Sequence, residues 1–494
     1  MSVFLGVDVG TSSTKGVLVR DDGVILASTQ REHSVEHPEP GWAEMDAEIW
    51  WQEFISISQE LTGLSKEPVS AVGLSGMGPC VLLEDGAGNP LRNAILYGVD
   101  TRATQEIADL DAELGSEQIL ERAGSLLSTQ AVGPKLVWVK NHEPDVFEKA
   151  RRLFMPASWL SFKLTGEYAL DHQSASQSVP LYDSSAQDWY RPWASQIMPQ
   201  LELPRLGWAN DIAGSVRKDA SELTGIPADT PVIVGTIDAW SEAMSVDGLN
   251  VGDLMLMYGT TMFFVNTTQE RITHPALWST LGALENTRSL AAGMATSGAI
   301  TNWLRDVFGK PDFSDLVAEA SASGVGANGL VCLPYFSGER TPIADPEARG
   351  VFIGLTTSHT RGDLYRAALE ATAFGIRHNV ETFRESGSKI DRIVAVGGGT
   401  KGKLWTQIVS DVTGLDQVVA SSTIGASYGA AMFAAMNVVS GFSASVWNPP
   451  SYVVSPRQDA KAVYDEIFEQ YLALYPATRE IQHYLAGLQK RSLS

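Results

Sequence analysis

Cysteine is nearly absent: Cys80 and Cys332 are the only two in 494 residues, too few for a disulfide framework, which a chain of this size does not need. Basic residues are also scarce. Lys and Arg total 36 against 58 Asp and Glu, a formal charge of −22, so the long-range field repels phosphate backbones and anionic lipid, and neither nucleic acid nor a membrane is expected as a partner. Long apolar runs are missing: the longest suspect, Gly429 to Met436, stops at Asn437, far short of the roughly 20 residues that span a bilayer. Met1 to Val7 holds no basic residue and meets Asp8 before a secretory core can form, so a reducing cytoplasm is the expected home. The eight histidines show no zinc-type spacing with cysteine. His33, His37 and the others are therefore expected at the surface or as caps, and any metal is expected to be bound through oxygen.

What is present is ordinary globular composition, 44% apolar and 19% charged, which excludes a largely disordered, collagenous or coiled-coil chain. Two segments stand out. Val3 to Val9 and Val17 to Val19 flank the polar turn Gly10-Thr11-Ser12-Ser13-Thr14-Lys15-Gly16, a strand–turn–strand whose backbone N–H groups and hydroxyls suit phosphate oxygens, although a plain hairpin has the same look. Leu254 to Tyr258, then Gly259-Thr260-Thr261, then Met262 to Val265 repeats it. Only the first copy carries an acid, Asp8. Two related halves with divided labour follow, spanning 1–247 and 248–494, each opening on a sheet and with the hairpins facing one cleft.

Between these hairpins strand-like and helical runs alternate, as in layered α/β domains. Thr360 to Ser386 reads as a helix: Thr360 and Asp363 have capping-box spacing, Leu364, Ala368, Ala371 and Gly375 form one stripe, and Gly387 follows. Ser440 to Pro456 is expected as a surface excursion before a last amphipathic helix over Gln458 to Leu488. Asp8 lies in an otherwise apolar strand, where a metal or phosphate role, or a solvated strand end, explains it. Asp238 follows a strand and opens a helix, so it is either a ligand-facing acid or an N-cap. Asp100 and Arg102 are read as functional groups or, at least as readily, as a surface ion pair. Gly397 to Lys403 fits the glycine-lysine part of a P-loop, but Leu404 stands where a hydroxyl is required.

In their order these segments resemble the FGGY carbohydrate kinases. Gly133-Pro134-Lys135-Leu136-Val137-Trp138 is similar to the first family signature, built on K-L-x-W, and Gly350 to Leu355 with Asp363 to Glu370 is similar to the second. Gly41 to Asp46 and Leu164 to Glu167 are lesser echoes, and the resemblance runs from Val3 to about Ala435. It implies two α/β domains of the actin and hexokinase type (ribonuclease H-like) around a central cleft. It also implies ATP with Mg²⁺ as cofactors and the sugar and ATP as partners, with a homodimer as a further option. Asp238 would be the catalytic base and Asp8 the acid beside the Mg²⁺. Gly10, Thr11, Ser12, Lys15, Gly259, Thr260 and Thr261 would brace phosphates. Gly298, Asn302, Gly398, Gly399 and Lys403 would line the adenosine pocket.

The nearest-looking branch is the xylulose kinases, which implies phosphorylation of a terminal hydroxyl of D-xylulose to give the 5-phosphate. Where that branch has S-G-Q-M-H-G this chain has Ser75-Gly76-Met77-Gly78-Pro79-Cys80, and its W-x-D-x-R-like segment is Tyr97-Gly98-Val99-Asp100-Thr101-Arg102, one residue longer before the acid. Met77, Gly78, Asp100, Arg102 and Asp238 are the candidate sugar contacts. Alternatives are ribulose, or a polyol such as glycerol or erythritol, and, in another class, an actin- or chaperone-like ATPase switch.

Overall fold

The computed structural model describes residues 2–493. The chain forms two compact units: the first takes residues through Val251, Thr267–Ser289 and Ile424–Pro449, and the second takes Gly252–Asn266, Leu290–Thr423 and Pro450 onward. One boundary between residues 247 and 248 is therefore amended, because two later segments return to the first unit. Among the described residues, no helix is long and apolar enough to cross a membrane.

In the first unit the opening strand Val3–Val9 is buried along its whole length. It lies mid-sheet, antiparallel to Ser13–Arg20 and parallel to Val69–Gly76, and burial on both faces explains why its apolar residues do not alternate. Ile25–Glu32 forms one edge, while Pro231–Ile233 and Ile212–Ser215 extend the other side and Thr236–Ile237 also pairs with Val69–Gly76. On one face, the helix Ala47–Leu64, started by the Asp46 side chain accepting from Glu48 N–H, buries Trp50, Phe54, Ile57 and Leu61. The opposite face is covered by the helix Ala426–Ala435, every residue of which is buried. Thus the apolar run at Gly429 is a core helix, and covering this face is the physical reason 424–449 rejoins the first unit.

That cover is close. A Cβ at Gly6 would stand 2.0 Å from the Ser427 carbonyl oxygen, and one at its register partner Gly73 would stand 1.9 Å from that of Ala430. Trp447, from the segment expected at the surface, is buried, with a Cβ at Gly23 falling 2.7 Å from its Cα. The rest of the segment is mostly exposed, Val446, Tyr452 and Val453 included, so it is a surface excursion that turns Ala444 and Trp447 into this core.

In the second unit Asp253–Tyr258 runs antiparallel to Met262–Thr268 and parallel to Arg392–Val396. The sheet then passes to Gln417–Ala420 and Pro450–Val454. The helix Arg361–Glu385 carries the expected capping box on Thr360 and Asp363 and is buried on nearly every side. Its interior ion pair, Arg366 to Glu370 at 2.7 Å, is completed by the Tyr464 hydroxyl. The last helix covers Gln458–Leu493.

The contact at Gly73 predicts that Gly73→Ala destabilises the protein by about 1–3 kcal/mol or more, because a backbone carbonyl has no rotamer to move aside. Urea denaturation measures this, and an unchanged midpoint would show that the helix does not press on the sheet as described.

Candidate active site

The register of the first sheet gathers its acids. Asp8 pairs with Lys15 on one side and Ser75 on the other, and Ser75 pairs with Thr236, two residues before Asp238. The strands Val3–Val9, Val69–Gly76 and Thr236–Ile237 are parallel, so all three end at one edge, where open α/β sheets collect ligands. Asp238 is the first residue of the helix Asp238–Ser245, and Ile237 takes the cap position. The N-cap reading of Asp238 is thereby set aside, although its Oδ1 accepts from Ala239 N–H at 2.8 Å. Glu242 stands one turn further on, and a Cβ at Gly425 would lie 2.7 Å from its Oε2.

Burial raises the pKa of all three acids, and their mutual repulsion adds to it: Asp8 is pushed above the usual carboxylate range by desolvation, Asp238 by desolvation and the Asp8 charge, and Glu242 to about 7 by the same two causes. The Lys15 charge acts against this at Asp8. Asp8 Oδ1 is buried and has no hydrogen-bond partner. A concentration of uncompensated acid at one sheet edge marks a functional position more readily than a structural one.

The turn after Asp8 is held from several sides. Gly10 N–H donates to Ser13 O at 3.0 Å and His33 N–H to Ser12 O at 3.1 Å. The His33 ring, with 4% of its side chain exposed, lies between Gly10 O at 3.0 Å and Glu53 Oε2 at 2.9 Å. Thr11 Oγ1 is 2.9 Å from the Tyr97 hydroxyl. Histidine here is neither a surface residue nor a helix cap but a brace for the turn, and nothing in its sequence neighbourhood signals that.

The segments expected to hold sugar divide. Gly78 stays half-buried, and a Cβ on it would meet the Ile237 side chain at 2.8 Å, which puts it beside Asp238. Met77 is a core residue whose N–H donates to Val9 O at 2.8 Å. Asp100 and Arg102 have no exposed side-chain area: Arg102 grips both Asp100 oxygens, donates to Glu44 at 2.6 Å, and lies 4.1 Å from the Trp42 ring centroid and 4.8 Å from that of Trp138. Asp100 Oδ2 also accepts from Ala43 N–H at 2.7 Å. The expectation that Met77, Asp100 and Arg102 bond substrate hydroxyls is corrected, since these groups are sealed within the unit. The K-L-x-W segment serves the same scaffold. Lys135, buried and with its pKa lowered to about 8 by desolvation, donates to the carbonyls of Leu96 and Tyr97 at 2.6 and 3.1 Å.

The second unit contains a cavity of about 590 Å³ lined by Tyr258, Gly259, Thr260, Gly298, Asn302, Gly398, Gly399 and Trp405, among others. Volume and lining suit a flat heteroaromatic ligand. A Cβ on Gly398 would project into open space, while one on Gly399 would meet Trp405 and Tyr258 at 2.8 Å. The turn Gly259–Thr261 is docked through its carbonyls, with Gly298 N–H donating to Gly259 O at 3.0 Å and Ala299 N–H to Thr260 O at 3.1 Å. Lys403, expected in the adenosine pocket, is not in the lining, and Lys401 is; the helix begins at Lys403. Trp405, Tyr365 and Phe313 line the cavity without having been singled out. Trp405 lies within the same glycine-rich neighbourhood, and Glu242 is one helical turn from Asp238; those spacings were the available signals.

The N-terminal domain model of the FGGY family of carbohydrate kinases matches residues 3–245 and its C-terminal domain model matches residues 254–438. The chain belongs to the FGGY family of carbohydrate kinases. It is 30% identical over 421 residues to the xylulose kinase of Escherichia coli K12, covering 83% of this chain and 85% of that one. It is also 30% identical over 451 residues to the glycerol kinase of Nocardia farcinica, covering 86% and 89%. The crystal structure of xylulose kinase from Rhodospirillum rubrum superposes with a TM-score of 0.92 at 30% identity, covering 97% of this chain and all of that one. The mixed α/β, two-domain architecture is thus that of sugar kinases.

Removing Arg102 from its pocket leaves Asp100 buried without its cation, while Glu44 keeps Arg92, so Arg102→Met is predicted to cost about 3–5 kcal/mol of stability. Denaturant titration checks the loss. A variant of native stability with altered sugar selectivity would restore Arg102 as a substrate contact.

Proposed function

We propose that this kinase transfers the γ-phosphoryl group of ATP to the terminal hydroxyl of D-xylulose, giving D-xylulose 5-phosphate, in the cytoplasm. The observation that carries the reading is the pair of buried acids, Asp8 and Asp238, at parallel strand ends beside the Gly10–Ser13 turn. The names of the xylulose kinases to which the chain is similar support the choice of sugar. Asp238 accepts the hydroxyl proton as the oxygen attacks phosphorus. The Gly10–Ser13 turn and the Gly259–Thr261 turn supply donors to phosphoryl oxygens, and the Trp405 cavity takes the adenine.

The residues fit a divalent cation. Asp8 offers a buried oxygen without a partner, and carboxylate oxygen is the donor type Mg²⁺ selects. Among the described residues no group of three or more ligating side chains is gathered, as expected for an ion that keeps water and phosphate oxygens as most of its ligands. When bound, Mg²⁺ supplies positive charge against the phosphoryl oxygens.

Asp238→Asn should lower turnover by roughly 10²- to 10⁴-fold, the range for loss of a general base, with the fold intact; near-native phosphorylation by that variant would remove Asp238 from the role. A polyol acceptor is the competing reading, because the Nocardia farcinica relative is a glycerol kinase and Ser75 to Cys80 departs from the xylulose-kinase pattern. A coupled assay over ketopentoses, ketohexoses and polyols decides between them. D-Xylulose is expected to exceed every other substrate by orders of magnitude, since a buried polar site is left with unpaired groups by each missing hydroxyl. A clear preference for glycerol or a tetritol overturns the choice of sugar.

A further inference from the structure

Tyr97 begins the segment that in the xylulose-kinase pattern starts with tryptophan, and it contributes a hydroxyl that an indole does not have. This hydroxyl is 2.9 Å from Thr11 Oγ1, in the turn that follows Asp8. Tyr97 is itself held firmly. Its carbonyl and that of Leu96 accept from the buried Lys135 ammonium at 3.1 and 2.6 Å. The next residue is pinned on both backbone groups, Gly98 N–H donating to Gln130 Oε1 at 3.0 Å and Gly98 O accepting from Thr129 Oγ1 at 3.2 Å. Lys135 of the signature helix Val132–His142 thus anchors the Tyr97 backbone, while the hydroxyl at the far side of the ring meets the turn after Asp8.

We propose that Tyr97 is a positioning residue for phosphoryl transfer: its hydroxyl donates to Thr11 Oγ1, leaving the Thr11 proton to be donated to a phosphoryl oxygen. The inference rests on the reading of the Gly10–Ser13 turn as a phosphate site. The physical reason is that two hydroxyls in contact share one hydrogen bond, and whichever donates determines where the other's proton points. With Tyr97 donating, Thr11 is polarised by its neighbour and becomes the better donor toward developing negative charge. Because Tyr97 is anchored through its backbone, its hydroxyl is placed against Thr11 before substrate arrives, which is what preorganisation requires.

The test is a mutant cycle on the full chain, with kcat and both KM values measured. Tyr97→Phe removes one oxygen and should lower kcat by about fivefold, the equivalent of one neutral hydrogen bond, with the sugar KM changed less than twofold. The loss should persist when Thr11 is replaced by Ser, which keeps the hydroxyl, and vanish when Thr11 is replaced by Val, which removes it. A general loosening of the fold by Tyr97→Phe would lower kcat equally on all three backgrounds and would overturn the proposal, as would an unchanged kcat. A native enzyme that phosphorylates no sugar at all overturns the functional reading and this inference together, whereas an active native enzyme with a fully active Tyr97→Phe variant overturns this inference alone.

Discussion

A carboxylate near the end of a fully buried strand is the constraint on which the first unit turns. Asp8 is 8% exposed in a strand whose other members are Val, Phe, Leu and Gly, and a charge so placed is tolerated only if something answers it. Within the unit the answer is partial. Lys15 lies opposite in the register and Ser75 alongside, yet one oxygen has no partner and two more acids, Asp238 and Glu242, raise the local negative charge. Acids crowded together in this way are stabilised by any positive charge that reaches them.

The family signatures act at one remove from that site. Lys135 and Trp138 do not face a ligand; the first holds two carbonyls and the second stacks on Arg102. Arg102, Asp100 and Glu44 are locked together beneath two tryptophans. A cation enclosed between aromatic faces and carboxylates is costly to rearrange, so Arg102 and Asp100 anchor the segment whose first residue, Tyr97, meets Thr11 in the turn after Asp8. Strong motifs in this chain therefore report on scaffold stiffness as much as on contact with substrate.

Much of the architecture was legible in the sequence because it rests on short-range physics. The two hairpins, the capping box of Thr360 and Asp363, and the acid opening the helix at Asp238 each depend on a few neighbouring residues, and each stands where those residues put it. Local chemistry likewise marked Gly398 and Gly399 as cavity lining. The apolar run Gly429 to Met436 showed in the sequence only that it is too short to span a bilayer, and its small residues gave no hint of which sheet they would touch.

What tertiary structure decided is everything that depends on a partner distant along the chain. Gly6 and Gly73 are required by carbonyls more than 350 residues away. His33 became a brace only because Gly10 and Glu53 close on it, and Asp100 with Arg102 became a sealed ion pair only because Trp42, Glu44 and Trp138 enclose them. An Asp or an Arg has the same local preferences whether it meets solvent, substrate or an ion-pair partner. By itself the sequence determined which residues carry charge and where the polar turns fall, since those follow from side-chain chemistry and backbone geometry. Burial alone decided which charges remain available, because desolvation depends on neighbours that only the folded chain brings together.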